Sequence, residues 1–283
     1  MEESSSNNRY SRLNAMKSYG FDFDWSILRN KHVFIAGVGG IGSFSAELLA
    51  RVGIGKLSIL DYDIVEQENL NRVFYNESHV GQYKVMVAKT KLENINPDSI
   101  VTAYRENLMN EAFELTLDTI LDTVDIVLMG LDNIPARQFL NYKIVKNNKP
   151  MVDCGVLRSG LGGYVHLIVP KKTACYACTG SVNFKTNDAS GPDCSASMPT
   201  TTSILSALQV QTAIKYLLNT GRIPDFIQYN ALGEKMLEFK LQVDENCYIC
   251  GKGKKENVID EKMIELPPLS KIISEIEKFK QKD

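Results

Sequence analysis

The sequence predicts an α/β protein built on a doubly wound sheet, mostly parallel and with an antiparallel second half. Three observations carry this. Short, continuously apolar runs such as 33–36 and 126–129 read as strands buried on both faces. Amphipathic helical stretches alternate with them, as a parallel sheet requires. After residue 150 the pattern changes: Tyr164, His166 and Ile168 alternate with Gly163, Val165 and Leu167, the period of an antiparallel strand.

The first unit is the most informative. The strand Val33-Phe34-Ile35-Ala36 runs into Gly37-Val38-Gly39-Gly40-Ile41-Gly42, and 43–52 reads as a helix. Gly37, Gly39 and Gly42 fit the G-x-G-x-x-G fingerprint of a Rossmann-like nucleotide-binding unit, in which glycines let backbone N–H groups approach a phosphate at the helix N-terminus. The next strand, 56–60, ends in Asp61, where an acid commonly holds a ribose hydroxyl.

Farther along, Gly81-Gln82-Tyr83-Lys84 leads into a helix with Val85, Ala88, Leu92 and Ile95 on its apolar face. Lys84 sits near that helix N-terminus, where a cation is unfavourable unless an anion neutralises it. Strand 100–104 follows, with Asn107 shortly after. The strand from Asp125 ends in Leu131-Asp132-Asn133, which places Asp132 outside the carboxyl end of a parallel strand, where ligands bind. Position alone leaves Asp132 and Asn133 open between a ligand role and an N-cap for the helix from Ile134. Strands at 150–154 and 161–169, a helix opened by Pro199, a hairpin of 226–229 with 236–243, and a terminal helix at 270–281 complete the expected elements.

With 283 residues, 44% of them apolar, the chain can build a full core, and a net charge of −2 favours neither nucleic acid nor an anionic membrane as partner. No apolar run is long enough to span a bilayer, and the polar, acidic N-terminus is unlike a signal peptide, so a cytoplasmic protein is expected.

In a reducing compartment six cysteines point to metal ligands, nucleophiles or core residues rather than disulfides. Cys175/Cys178 and Cys247/Cys250 are two Cys-x-x-Cys pairs, each a chelating knuckle. Together they predict a four-thiolate zinc cage with no open position, hence a structural one. The competing reading is two redox pairs. Cys154 follows an apolar strand and reads as buried. Cys194 lies in a polar loop just before the helix opened by Pro199, whose dipole favours a thiolate, while Asp193 opposes it. Position alone leaves its role open.

Taken together, the glycine turn, Asp61-Tyr62-Asp63-Ile64-Val65-Glu66, Asn69-Leu70-Asn71-Arg72, Lys84, Asp132-Asn133 and the two cysteine pairs resemble the adenylation domain of ubiquitin-activating-type enzymes, a family that includes the adenylyltransferases of molybdopterin and thiamine synthesis. Tyr10-Ser11-Arg12-Leu13, Gly53-Ile54-Gly55-Lys56-Leu57 and the stretch from Cys194 to Thr201 look like its small homodimeric members that activate a ubiquitin-fold modifier. The resemblance implies use of ATP with Mg2+, a structural Zn2+, a modifier ending in glycine and a conjugating enzyme as further partner. Gly37, Gly39, Gly40, Gly42 and Asp63 would surround the nucleotide, and Asp61 would hold its ribose. Asn69, Arg72 and Lys84 would face the phosphates, Asp132 would ligate magnesium, and Asn107 and Asn133 would lie close by. Arg12 would reach the partner subunit's site in a homodimer, and Cys194 would take the acyl group as a thioester.

The implied organisation is an N-terminal arm (1–30), an adenylation domain (31–251) with a short catalytic-cysteine loop (180–198), and a linker with an amphipathic helix (252–283). The large cysteine insertion of ubiquitin-type members is absent. A sulfur-carrier adenylyltransferase without a thioester step shares every ATP-site residue. A nicotinamide oxidoreductase shares the glycines and Asp61 but leaves Arg72, Lys84 and the cage without a task.

Overall fold

A computed structural model describes residues 9–19, 24–71, 74–179 and 198–251. Eight strands form one sheet in the order β3-β2-β1-β4-β5-β6-β7-β8. Strands β1 (His32–Ala36), β2 (Lys56–Leu60), β3 (Ile100–Tyr104), β4 (Ile126–Met129) and β5 (Met151–Val156) are parallel. Strands β6 (Gly162–Ile168), β7 (Phe226–Asn230) and β8 (Lys235–Phe239) continue it antiparallel. The mixed sheet is the one expected. β8 ends at Phe239 rather than at residue 243, because Phe239 pairs with Phe226, the first residue of β7, and no ladder lies beyond.

Side-chain alternation sorts the helices onto two faces. Val33, Ile35, Ile126 and Leu128 pack with α2 (Gly40–Val52), α3 (Lys84–Ile95) and α7 (Pro199–Leu217), which comes after the one-turn α6 (Tyr176–Thr179) in the chain. Phe34, Ala36, Val127 and Met129 face α4 (Glu111–Thr123) and α5 (Ile134–Lys146). Core positions such as Leu49 and Leu117 are fully buried, each worth about 1.5–3 kcal/mol. Helix α4 was not among the elements read from sequence. Its signals are an Asn110 cap on the Ala112 N–H and a stripe of Phe113, Leu117, Ile120 and Leu121.

The short α1 (Ser11–Asn14) is held by its flanks. Tyr10 is buried against Gly53, accepts a hydrogen bond from Asn96 Nδ2 at 2.8 Å, and is joined by Arg9, whose guanidinium donates to the Ile95 carbonyl. The arm therefore sits at the C-terminal ends of α2 and α3. Among the described residues no helix is long and apolar enough to cross a membrane.

Candidate functional site

Because β1 lies between β2 and β4, the connections leaving β1 and β4 diverge to opposite faces and open a crevice at their carboxyl ends. Gly37, Gly39, Gly40, Asp61, Asp63, Lys84, Asn107, Asp132 and Asn133 all line it, with Tyr62 and Leu131. These predicted residues come from four separate connections.

The glycines do different work. Gly37 has φ +86°, and a Cβ there would lie 2.7 Å from the Gly130 carbonyl oxygen. Gly42 does not line the crevice; a Cβ on it would collide with the Gly37 carbonyl, so it lets α2 pack under the turn. Among the described residues, no atom beyond its chain neighbours lies within 4 Å of where a Cβ on Gly39 would sit, so their packing does not demand that glycine, whereas close approach of a ligand would. The N-cap of α2 is Gly39, which has no side chain to cap it, so among the described residues the helix N-terminus at the crevice is an uncapped, anion-binding end.

Asp61 is buried and ties the turn to β2. It accepts from Val38 N–H at 2.8 Å and from Asp63 N–H at 2.9 Å. Burial pushes its carboxyl above the usual range, opposed by those hydrogen bonds and by the Lys84 charge. Lys84 turns out to have an anion in its own chain: its Nζ lies 2.9 Å from Asp63, at the first residue of α3. That pair offsets the unfavourable helix end and aims the ammonium into the crevice.

Asn133 settles the cap question. Its side chain accepts from Ala136 N–H at 2.9 Å, and the exposed Asp132 does not cap. Asn107 folds its oxygen onto Met109 N–H at the rim. Asn69 is buried, accepts from Glu66 N–H and is not a lining residue. Arg12 is exposed and does not line this crevice. Arg72, Cys194, the segment 180–197 and the tail from 252 lie outside the described residues.

Tyr75 was missed in the sequence. It is buried, and its hydroxyl donates to the Val38 carbonyl at 2.6 Å, bracing the glycine turn from the segment that follows Arg72. Burial pushes that phenol well above its ordinary pKa, so it remains a donor. The preceding Phe74 has φ +125°, a strained value for a bulky residue, and is clamped by Lys91 over its ring at 4.1 Å. An aromatic beside a polar run gives no local sign of this task.

On the opposite face of the sheet the four paired cysteines converge, all sulfurs within 4.8 Å of one another. Sγ–Sγ separations of 3.9 Å (Cys175–Cys178), 3.7 Å (Cys175–Cys247) and 3.3 Å (Cys178–Cys250) approach the roughly 3.8 Å edge of a tetrahedron with Zn–S bonds of about 2.3 Å. Asn141, fully buried on α5, donates to Cys175 Sγ at 3.6 Å and accepts from Tyr176 N–H, holding one knuckle in place. The donor set fits a zinc ion. Cys154 is buried, as expected, with its thiol pushed up by burial.

A family model described as the ThiF family matches residues 10–249. The sequence is 38% identical to ubiquitin-like modifier-activating enzyme 5 of Drosophila mojavensis, over 85% of this chain and 63% of that protein. It is 37% identical to the protein of the same name from Drosophila melanogaster, over 93% and 70%. The chain thus spans about two thirds of the length of these curated relatives. Among solved structures, E. coli MccB with ATP superposes with a TM-score of 0.71 at 27% identity, over 89% of this chain and 76% of that one. The fold is also that of PaaA, with a TM-score of 0.70 at 18% identity over 86% of each chain. The match spans the glycine turn, the crevice and three of the four clustered cysteines, and the chain belongs to the ThiF family.

Proposed function

We propose that the protein activates a ubiquitin-like modifier in two steps. The modifier's C-terminal carboxylate attacks the α-phosphorus of ATP, a P–O bond forms, and pyrophosphate leaves. The Cys194 thiolate then attacks the acyl carbonyl, and AMP leaves as the thioester forms. The observation that carries this reading is the convergence of the uncapped α2 terminus, Lys84 and Asp132 on one crevice of a ThiF-family chain.

The α2 N–H groups and the Lys84 ammonium stabilise phosphate charge as it shifts toward the leaving pyrophosphate. Asp132, exposed and uncommitted to capping, is the carboxylate available to magnesium, which supplies further neutralisation of the triphosphate when bound. The turn and Asp61 fix the nucleotide's orientation, so the chemistry is positioning plus charge stabilisation. The names of the curated relatives support a ubiquitin-like modifier as substrate.

The two steps separate by mutation. Cys194→Ala is expected to keep ATP–pyrophosphate exchange and to give no thiol-sensitive adduct with the cognate modifier on a non-reducing gel. Cys154→Ala forms the adduct normally, because its thiol is buried and its Sγ faces the Leu205 carbonyl. A wild-type protein that made adenylate with its true partner and never a thioester would replace this reading with a sulfur-carrier adenylyltransferase.

The anchored arm supports a homodimer with Arg12 acting in trans. Tyr10 is fixed at the C-terminal end of α2, whereas the crevice lies at its N-terminal end. The helix has 13 residues and so spans about 20 Å, beyond the reach of an arginine side chain two residues from that anchor. Arg12→Ala and Lys84→Ala subunits, each inactive alone, are expected to regain exchange when mixed, since one mixed site receives both intact residues. Mixed dimers that form without recovery would refute the trans role.

A further inference from the structure

Arg137 lies on the buried face of α5, five residues after Asp132, and its guanidinium is shared among groups from the β4–α5 turn and from strands β5 and β6. One nitrogen donates to Asp153 Oδ1 and, at 3.3 Å, to the Tyr164 hydroxyl. The other donates to the Leu131 carbonyl and, at 2.9 Å, to the Cys154 carbonyl. Tyr164 in turn donates to Asp153 Oδ2 at 3.0 Å and stacks on Phe226. Asp153 is fully buried and Arg137 is 8% exposed. Burial disfavours the guanidinium charge, but Asp153 more than offsets this and keeps the group above its ordinary pKa.

A buried ion pair is weak evidence for stability, because apolar residues of similar volume often serve as well. What this pair does that apolar residues cannot is grip the backbone at Leu131. That carbonyl belongs to the turn between β4 and α5, which presents Asp132 to the crevice. Strands β5 and β6 hold the guanidinium from behind, so the turn is tied to the rigid centre of the sheet.

We propose that Arg137 is a positioning residue that fixes the turn carrying Asp132, with Asp153 and Tyr164 orienting it. The inference rests on the reading of Asp132 as the magnesium-side carboxylate.

Binding of a non-hydrolysable ATP analogue is measured by calorimetry with and without magnesium for wild type, Asp132→Ala, Arg137→Lys, Tyr164→Phe and the charge-balanced double variant Arg137→Met/Asp153→Asn. Amide hydrogen exchange over residues 130–137 is followed in each folded protein. Arg137→Lys and the double variant are expected to lose about 10–100-fold of the magnesium-dependent gain in affinity, leaving magnesium-free binding unchanged, and to exchange faster over 130–137. Tyr164→Phe, which removes only a hydroxyl, should shift both in the same direction by less. If Asp132→Ala keeps the full magnesium gain, the assignment of Asp132 fails, and exchange over 130–137 alone decides the positioning role. Folded Arg137 variants with wild-type exchange in that turn would overturn the inference. Should those variants not fold, unchanged exchange in Tyr164→Phe would overturn it.

Discussion

Lys84→Ala or Asp132→Ala is expected to suppress modifier-dependent ATP–pyrophosphate exchange by on the order of 10²–10³-fold, the usual cost of deleting one preorganised charge from a transition-state site. The fold should survive both changes. The Lys84–Asp63 pair is tight at 2.9 Å, but Asp63 is 43% exposed, so water can solvate the carboxylate left behind. Lys84 itself is buried, so removing it takes a charge out of the interior and leaves only the member of the pair that water already reaches. Asp132 is exposed and caps nothing, so its removal leaves α5 intact with the Asn133 cap. The check is exchange alongside calorimetric melting. Full exchange in both variants would remove these residues from the chemistry.

The second large effect concerns the cysteine cage. Purified protein is expected to carry about one zinc per chain by atomic absorption. Cys175→Ser should lose the metal and lower stability by several kcal/mol, part of the roughly 10 kcal/mol that a structural zinc can contribute. For a domain of this size that is a fall in melting temperature on the order of 10 °C. Cys175 and Cys247 are buried in the cluster that includes Leu140 and Ile144, so losing the ion also loosens packing beneath α5. Without a cation, four thiols this close cannot all ionise, because each thiolate repels the next and burial raises Cys247. Nucleotide affinity should change later than stability, since the crevice lining contains none of the four cysteines. A metal-free protein of normal stability would exclude the cage.

Much of this site is legible in the sequence because its parts are local. A buried parallel strand is a continuous apolar run, and a glycine with φ +86° leaves few alternatives at Gly37. Asp61 and Asp132 are marked by their places just beyond strand ends. The partners of these residues are not local. Lys84 looks like an unpaired cation until the chain brings Asp63 to it from 21 residues away. Arg137 reads as an ordinary helical arginine, because its burial depends on β5 and β6 closing over it. Tyr75 reads as one more core aromatic, since only the folded turn offers its hydroxyl the Val38 carbonyl. The cysteine pairs announce a metal, but only packing shows that α5 supplies Asn141 to hold Cys175.

The spacing of the cage has a consequence for the unfolded chain. Cys175 and Cys247 are 72 residues apart, and between them run α7, β7 and β8. A metal joining them closes that loop as a cross-link would. By the chain-entropy relation for cross-links, a metal still held by both pairs in the unfolded chain would remove roughly 4 kcal/mol of disorder from the denatured ensemble. This part of the stabilisation owes nothing to any contact in the folded protein. While metal is bound, α7 and the hairpin cannot drift from the sheet independently, and the antiparallel half of the molecule should open and close as one unit.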